Sequence, residues 1–340
     1  MNRKILAFTQ GDPAGIGPEV VLRALAASPA TADFRPLVLA ERAALEAVRT
    51  LVPELDFDRL VDVASPERGA LLALPDTSIA LLDPVGVPRD IEFGEPSAAD
   101  AHGAMAALDA GIDLARRGVA DALVTAPVSK ATIARHVHPG FVGHTDYLAA
   151  KFGLERYGRD YLMAFLAPQL QVALLSVHEP LARAIDTVTT GALLDALACL
   201  GRHAGGKIAV AGLNPHAGEG GLLGTEDEDV VRPAVERARE QGLDVHGPES
   251  ADSLFSRAAG GEFDWVLALY HDQGLIAVKT SSFGEATNWT LGLPILRTSV
   301  DHGTAYRIAG SGTADAQPLA AVIETTLELL DGTLPRKSAR

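Results

Sequence analysis

The sequence predicts an α/β protein of two domains. Short aliphatic and β-branched runs alternate with longer stretches of helical period, the chain is 340 residues long, and 33 Gly and 20 Pro punctuate it. Strand and helix in alternation are the signature of layered α/β folds. A chain of this length exceeds one comfortable hydrophobic core and divides into two of ordinary size. A binding cleft between the two is expected.

The elements follow in order. Ile5 to Phe8 reads as the first strand: the apolar run within Met1 to Thr9 is too short for a signal-peptide core and enters a Gly/Pro turn directly. That turn, T-Q-G-D-P-A-G-I-G-P-E at Thr9 to Glu19, departs from G-x-G-x-x-G and lacks G-K-[ST]. It reads either as a phosphate turn or as a tight turn packing strand on helix. Pro18 to Ala27 opens with Pro just inside a helix start. A strand follows at Leu37 to Leu39. Ser97 with Asp100 forms a capping signature ahead of Ala101, Met105, Leu108 and Ile112. Ala122 to Thr125 is a strand leading into T-A-P-V-S-K, where Lys130 faces an anion or Ser129 caps a helix. Strands are then expected at Tyr161 to Leu166, Val172 to Ser176, Ile208 to Ala211 and Trp265 to Leu269. Thr225 with Glu228 repeats the capping signature before Val230 and Val231, Leu319 to Leu330 is a closing helix, and Pro335 to Arg340 is a frayed end.

A formal charge of −15 argues against general nucleic-acid affinity, which needs clustered cations to displace counterions. Any phosphate must therefore meet a local cationic pocket. The lone Cys199 lies in an apolar helical stretch, Leu193 to Leu200, as a buried inert thiol, in keeping with a reducing, cytoplasmic setting. No run approaches the roughly 18 apolar residues of a membrane span, so a soluble protein is expected.

Three histidines stand at or just after expected strands, where α/β sheets line their binding crevices. They are His178 in S-V-H-E-P, His216 in G-L-N-P-H-A-G-E-G-G and His271 in Y-H-D-Q-G. Any one alone reads as a turn or core histidine. Three neutral imidazoles together suit a divalent metal that polarises a substrate hydroxyl. His144 with Thr145, in G-H-T-D-Y-L-A, stands at a turn into a helix, where exposed N–H groups favour an anion and Thr is also a preferred cap. Lys279, Asn288 and Arg297 lie in a segment short of other cations. They form a phosphate clamp or are ordinary surface polar groups.

Six ordered motifs carry a resemblance that runs almost end to end: G-D-P-A-G-I-G-P-E-V, T-A-P-V-S-K, G-H-T-D-Y-L-A, G-L-N-P-H-A-G-E-G-G, Y-H-D-Q-G and T-L-G-L-P-I-L-R-T-S-V-D-H-G-T-A. In these the chain resembles the 4-hydroxythreonine-4-phosphate dehydrogenase family of the pyridoxal-phosphate pathway. The resemblance implies a two-domain isocitrate/isopropylmalate dehydrogenase-like fold, with residues 1–125 plus 275–340 in one domain and 126–274, carrying the metal histidines and dimer contacts, in the other. It implies that His178, His216 and His271 bind one divalent metal (Zn, Mg, Co or Mn). His144, Thr145, Lys279, Asn288 and Arg297 hold the phosphorylated substrate. Asp252, Asp272 and Lys279 are the catalytic candidates. NAD or NADP is received by Asp301, His302, Gly303 and Thr304, the start of a loop reaching Asp315, which accounts for the missing G-x-G-x-x-G.

The implied protein is a homodimer whose clefts draw metal histidines from both subunits. The implied chemistry is hydride transfer from a metal-polarised secondary alcohol to the nucleotide and loss of CO₂, giving 3-amino-2-oxopropyl phosphate from 4-phosphohydroxythreonine. Asp146 stands where the family often has Glu, and Trp289, next to Asn288, where a smaller aliphatic residue is commoner. Those departures keep 4-phosphoerythronate and 4-phosphothreonate open as substrates. Retention of Lys279, Asn288 and Arg297 argues against the branch acting on dihydrodiol dicarboxylates. Two readings of other classes are a metal-dependent hydrolase using the same histidines, which needs no nucleotide, and a catalytically inert metabolite-binding module.

Overall fold

A computed structural model describes residues 3–28, 33–282 and 284–334; the tail at Pro335 to Arg340 lies outside them. The chain divides into two compact units, Met1–Leu148 with Ile295–Gly332, and Ala149–Pro294. It crosses between them at 148/149 and 294/295, later than the positions near 125 and 275 read from the sequence. The first crossing is late because the segment after Thr125 still packs on the first unit, where the Tyr147 hydroxyl donates to Asp109 at 2.7 Å.

The first unit opens with strand β1 (Lys4–Thr9), helix α1 (Gly17–Ala27), strand β2 (Phe34–Leu39), helix α2 (Arg42–Ala47), strand β3 (Leu60–Asp62), helix α3 (Arg68–Ala73) and strand β4 (Ile79–Leu82). It continues through helix α4 (Ala98–Arg116), strand β5 (Ala122–Thr125) and helix α5 (Lys130–His136); helix α6 (His144–Lys151) spans the crossing. The second unit holds strands β6 (Leu162–Leu166) and β7 (Gln171–Leu174), helices α7 (Leu181–Thr187) and α8 (Thr190–His203), and strand β8 (Ile208–Ala211). Helix α9 (Arg232–Glu240), strand β9 (Val245–Glu249), helix α10 (Ala251–Ala259), strand β10 (Trp265–Ala268), helix α11 (His271–Ser282) and strand β11 (Thr287–Leu291) complete it. Strand β12 (Leu296–Ser299) and helix α12 (Gln317–Leu330) return to the first unit.

In the first unit the strands run in the order β3-β4-β2-β1-β5-β12, and every pair is parallel. Both faces of such a sheet are covered by helices, so the inner strands β2 and β5 are buried throughout, while the edge strand β3 runs out to an exposed Asp62. Phe8, Val20, Leu25, Phe34, Val124 and Val322 form part of its core. Each such side chain contributes about 1.5–3 kcal/mol by leaving water. Strand β2 begins before the expected Leu37 because Arg35 is buried with the strand; its guanidinium donates to the carbonyls of Leu74, Pro75 and Ser78 at 2.6, 3.0 and 2.7 Å. In the second unit the order is β11-β6-β7-β10-β8-β9, with β11, β6 and β7 antiparallel and the rest parallel.

The Ser97 signature forms a full capping box, with Ser97 N–H donating to Asp100 at 2.7 Å and Asp100 N–H to Ser97 Oγ at 3.4 Å. The Thr225 signature does not. Asp227–Val231 is wound as a π-helical turn ahead of α9, and the Thr225 carbonyl, not its hydroxyl, receives Asp229 N–H at 2.8 Å. The cause is Asp227, whose buried carboxylate turns inward to bind Leu213 and Asn214. No single described helix is long and apolar enough to cross a membrane. Cys199 is buried on α8, and burial pushes its thiol up to about 11.

Candidate active site

Strands β7 and β10 are adjacent and parallel, so their carboxyl ends deliver side chains to one place. His178 follows β7 and His271 opens α11 just beyond β10; their rings stand 5.4 Å apart. His271 Nδ1 lies 2.7 Å from Asp272 Oδ1. A carboxylate accepts only, so Nδ1 carries the proton and Nε2 presents its lone pair. His178, His271, Asp272 and Tyr270 line a cavity of about 310 Å³. Asp272 also lines a second cavity, of about 560 Å³, together with Asp252. The Ser250 hydroxyl donates to Asp252 at 2.7 Å and holds its carboxyl below the usual range, with His216 adding to the effect. Lys279 lies seven residues on from Asp272, on the same stripe of α11 and about 10 Å along its axis.

His216 does not join the other two imidazoles in a metal-binding group among the described residues. Its Nδ1 lies 3.4 Å from Glu219, and no group of three His, Cys, Asp or Glu side chains gathers in metal-binding geometry among the described residues. The backbone beneath it is left-handed over five consecutive residues, His216 to Gly220, with φ between 45° and 81°. Each non-glycine residue there costs roughly 1–2 kcal/mol. Asp227 holds the turn from inside: Oδ1 accepts Leu213 N–H at 2.7 Å, and Oδ2 accepts Asn214 N–H at 2.9 Å and Asn214 Nδ2 at 3.1 Å. Gly218 is required at its centre, because a Cβ would lie 2.9 Å from the Gly224 carbonyl oxygen.

The first unit gathers a different set. Arg297, on β12, is buried and reaches Thr125 Oγ1 at the end of β5, from Nε at 3.2 Å and Nη2 at 2.6 Å. Burial draws its guanidinium down to about 9, which leaves it charged at neutral pH. His144 opens α6 with Nε2 buried and without a hydrogen-bond partner. Burial pushes its imidazole well below the ordinary range, and Arg297 and Lys130 push it further. Thr145 is buried beside it. Ser129 caps α5, accepting Thr132 N–H at 3.2 Å, so Lys130 starts that helix with its amine near Gly143. Two cations, a neutral imidazole and a helix start form a small anion-seeking nook.

Asn288 and Lys279 belong to the second unit. Asn288 Oδ1 is buried with no hydrogen-bond partner, while Lys279 is exposed. Successive strand residues face opposite ways, so Trp289 points away from Asn288, its ring 6.4 Å from that of Trp265. The unusual residue at 289 therefore packs against the far side of the sheet. Of the expected nucleotide segment, Thr304 receives Ile16 N–H on its carbonyl at 3.0 Å, Asp301, His302 and Gly303 precede it in an irregular stretch, and His302 Nδ1 lies 3.0 Å from the Gly303 carbonyl.

Thr125 and Asp227 were not singled out by sequence reading. Thr125 ends an expected strand, and its position directly before A-P-V-S-K is the signal that marks it. Asp227 stood inside a capping pattern that pointed to its neighbours instead.

A family model described as pyridoxal phosphate biosynthetic protein PdxA matches residues 32–326. The chain is 38% identical over 336 residues to the 4-hydroxythreonine-4-phosphate dehydrogenase of Desulfosudis oleivorans, covering 96% of each. It is 36% identical to the D-threonate 4-phosphate dehydrogenase of Salmonella typhimurium, covering 97% of this chain and all of that one, 100%. Among solved structures, the 4-hydroxythreonine-4-phosphate dehydrogenase of Klebsiella pneumoniae superposes with a TM-score of 0.85 at 33% identity, over 96% of this chain and 99% of that one.

Proposed function

The chain belongs to the PdxA family of pyridoxal phosphate biosynthetic proteins, and from that premise we propose that it is an NAD(P)-linked, divalent-metal-dependent oxidoreductase acting on the secondary alcohol of 4-phosphohydroxy-L-threonine. The observation that carries the substrate class is the buried Arg297 beside His144. A guanidinium and an unpartnered imidazole nitrogen, removed from water, call for an anion that accepts from both. A substrate phosphate supplies it, with Thr145 beside it, and the family resemblance assigns Lys279 and Asn288 to the same substrate.

His271 and His178 fit a metal. Asp272 fixes the tautomer of His271, and the two rings share one cavity. His216, which completes no metal-binding group with that pair among the described residues, would join it from a second copy in a homodimer. A divalent cation held there would supply Lewis-acid polarisation of the substrate oxygen. Asp301, His302, Gly303 and Thr304 would hold the nucleotide, which would supply the hydride acceptor, and one of Asp252, Asp272 or Lys279 would take the hydroxyl proton. Loss of CO₂ from the resulting β-keto acid gives 3-amino-2-oxopropyl phosphate.

Kinship to a D-threonate 4-phosphate dehydrogenase supports a second reading, oxidation of 4-phospho-D-threonate or 4-phospho-D-erythronate. A side-by-side assay of NADH formation from the three phosphorylated acids, with and without chelator, tests both. The preferred acid is expected to lead by on the order of 100-fold in kcat/KM. Full turnover by rigorously metal-stripped protein would reject the metal.

A further inference from the structure

The first motif of the chain, G-D-P-A-G-I-G-P-E, has no part in the site above, yet three of its residues reach separate points of one distant segment, Asp301 to Asp315. The Tyr306 hydroxyl donates to Asp12 Oδ2 at 2.6 Å, across 294 positions of sequence. Ile16 N–H donates to the Thr304 carbonyl at 3.0 Å. Ala314 N–H donates to Glu19 Oε1 at 3.2 Å, and Arg23, paired with Glu19 at 3.1 Å, donates to the Gly312 carbonyl at 2.7 Å.

Between the first two of these points lies Ala305, left-handed at φ 47° and ψ 44°. An L side chain adopts that backbone at a steric cost, so the segment needs outside support to keep it. The motif is shaped to give that support. A Cβ on Gly15 would lie 2.9 Å from the Thr304 carbonyl oxygen, so only glycine lets the two backbones approach. Asp12 is itself braced, with Oδ1 accepting Ala14 N–H at 3.0 Å and its own N–H donating to Pro127 at 2.8 Å. A turn that merely joins strand to helix has no use for buried carboxylates at Asp12 and Glu19, since burying them is costly.

We propose that Asp12 and Tyr306 are a positioning pair which, with Ile16 and Glu19, holds the Asp301 to Asp315 segment in the strained shape that receives the nicotinamide nucleotide. This rests on the reading of that segment as the nucleotide loop. The motif is then a template for the loop, and contributes to nucleotide affinity without touching substrate.

Tyr306→Phe and Asp12→Asn test it, read by backbone hydrogen exchange over residues 302–314 and by titration of NAD or NADP without turnover. Exchange there is expected to rise, and nucleotide affinity to fall, on the order of 10-fold, the worth of one hydrogen bond to a charged group. The KM for the phosphorylated acid and kcat at saturating nucleotide should hold. Adding Ala305→Gly to Tyr306→Phe should restore most of the affinity, because glycine takes the left-handed backbone without steric cost. Tyr306→Phe keeps the ring, so it decides the matter if Asp12→Asn fails to fold. Wild-type exchange or wild-type affinity in Tyr306→Phe overturns the proposal alone. Wild-type protein that binds neither nucleotide overturns the underlying reading, and the proposal with it.

Discussion

The imidazoles of His178 and His271 stand 5.4 Å apart, tilted by 45°, at the ends of two adjacent parallel strands. That spacing lets one nitrogen of each ring meet a shared cation. His271→Ala should remove bound metal, measured by elemental analysis, and lower kcat by roughly 100-fold or more, the value of a few kcal/mol of charge stabilisation. Asp272→Asn should weaken metal binding by about 10–100-fold while leaving the ring in place. Equal metal content in wild type and His271→Ala would remove both histidines from the site.

Arg297 should be the anchor of phosphate recognition. Arg297→Lys keeps a charge but loses the fork, and is expected to raise KM for the phosphorylated acid by roughly 10- to 100-fold. A dephosphorylated analogue should show little change. If both substrates weaken equally, Arg297 shapes the fold and does not read the phosphate.

His144 links stability to pH. Burial keeps it neutral in the folded chain well below 6.5, whereas in the unfolded chain it takes up a proton near that value. Below about pH 6.5 the unfolded state therefore binds the extra proton, and stability falls as pH falls, by up to about 1.4 kcal/mol per unit for one group, until the folded imidazole titrates too. Above that range the contribution is constant. Urea unfolding at a series of pH values should show this slope in the wild type and a flatter one in His144→Asn. An identical slope in the variant would assign the acid sensitivity elsewhere.

How far this could be read from sequence varies by element. Ile208–Ala211 is apolar, short and bounded by turns, and its strand was legible to the residue. Leu296–Ser299 carries an arginine and two hydroxyls, yet it is a buried strand because Thr125 accepts from Arg297 and Thr298 pairs with Thr326 at 2.7 Å. Those partners sit 172 and 28 positions away, beyond any local pattern. The three histidines are legible because each follows a strand, whereas no local pattern shows that His216 completes no metal-binding group with the other two among the described residues. The Asp12 contact with Tyr306 was hidden for the same reason. Thr225 and Glu228 had the right spacing for a cap, but the stronger demand came from the unpaired N–H groups of Leu213 and Asn214.

Asp227 should accordingly be among the more sensitive positions for stability. Asp227→Asn keeps one acceptor oxygen and turns an NH₂ against backbone N–H groups, at an expected cost of about 2–3 kcal/mol. The urea midpoint of unfolding measures it. A loss below about 0.5 kcal/mol would mean that the left-handed turn at His216 holds itself.

Because β12 lies beyond the whole of the second unit in sequence, the order of synthesis differs from the order of assembly. The stretch Ala149–Pro294 emerges from the ribosome and can close on itself while the parallel sheet begun by β1 still shows the open edge of β5. An open strand edge is sticky. The nascent chain thus passes through a period in which its earliest-made half is its least finished, and buried Arg297 arrives with the strand that ends that exposure.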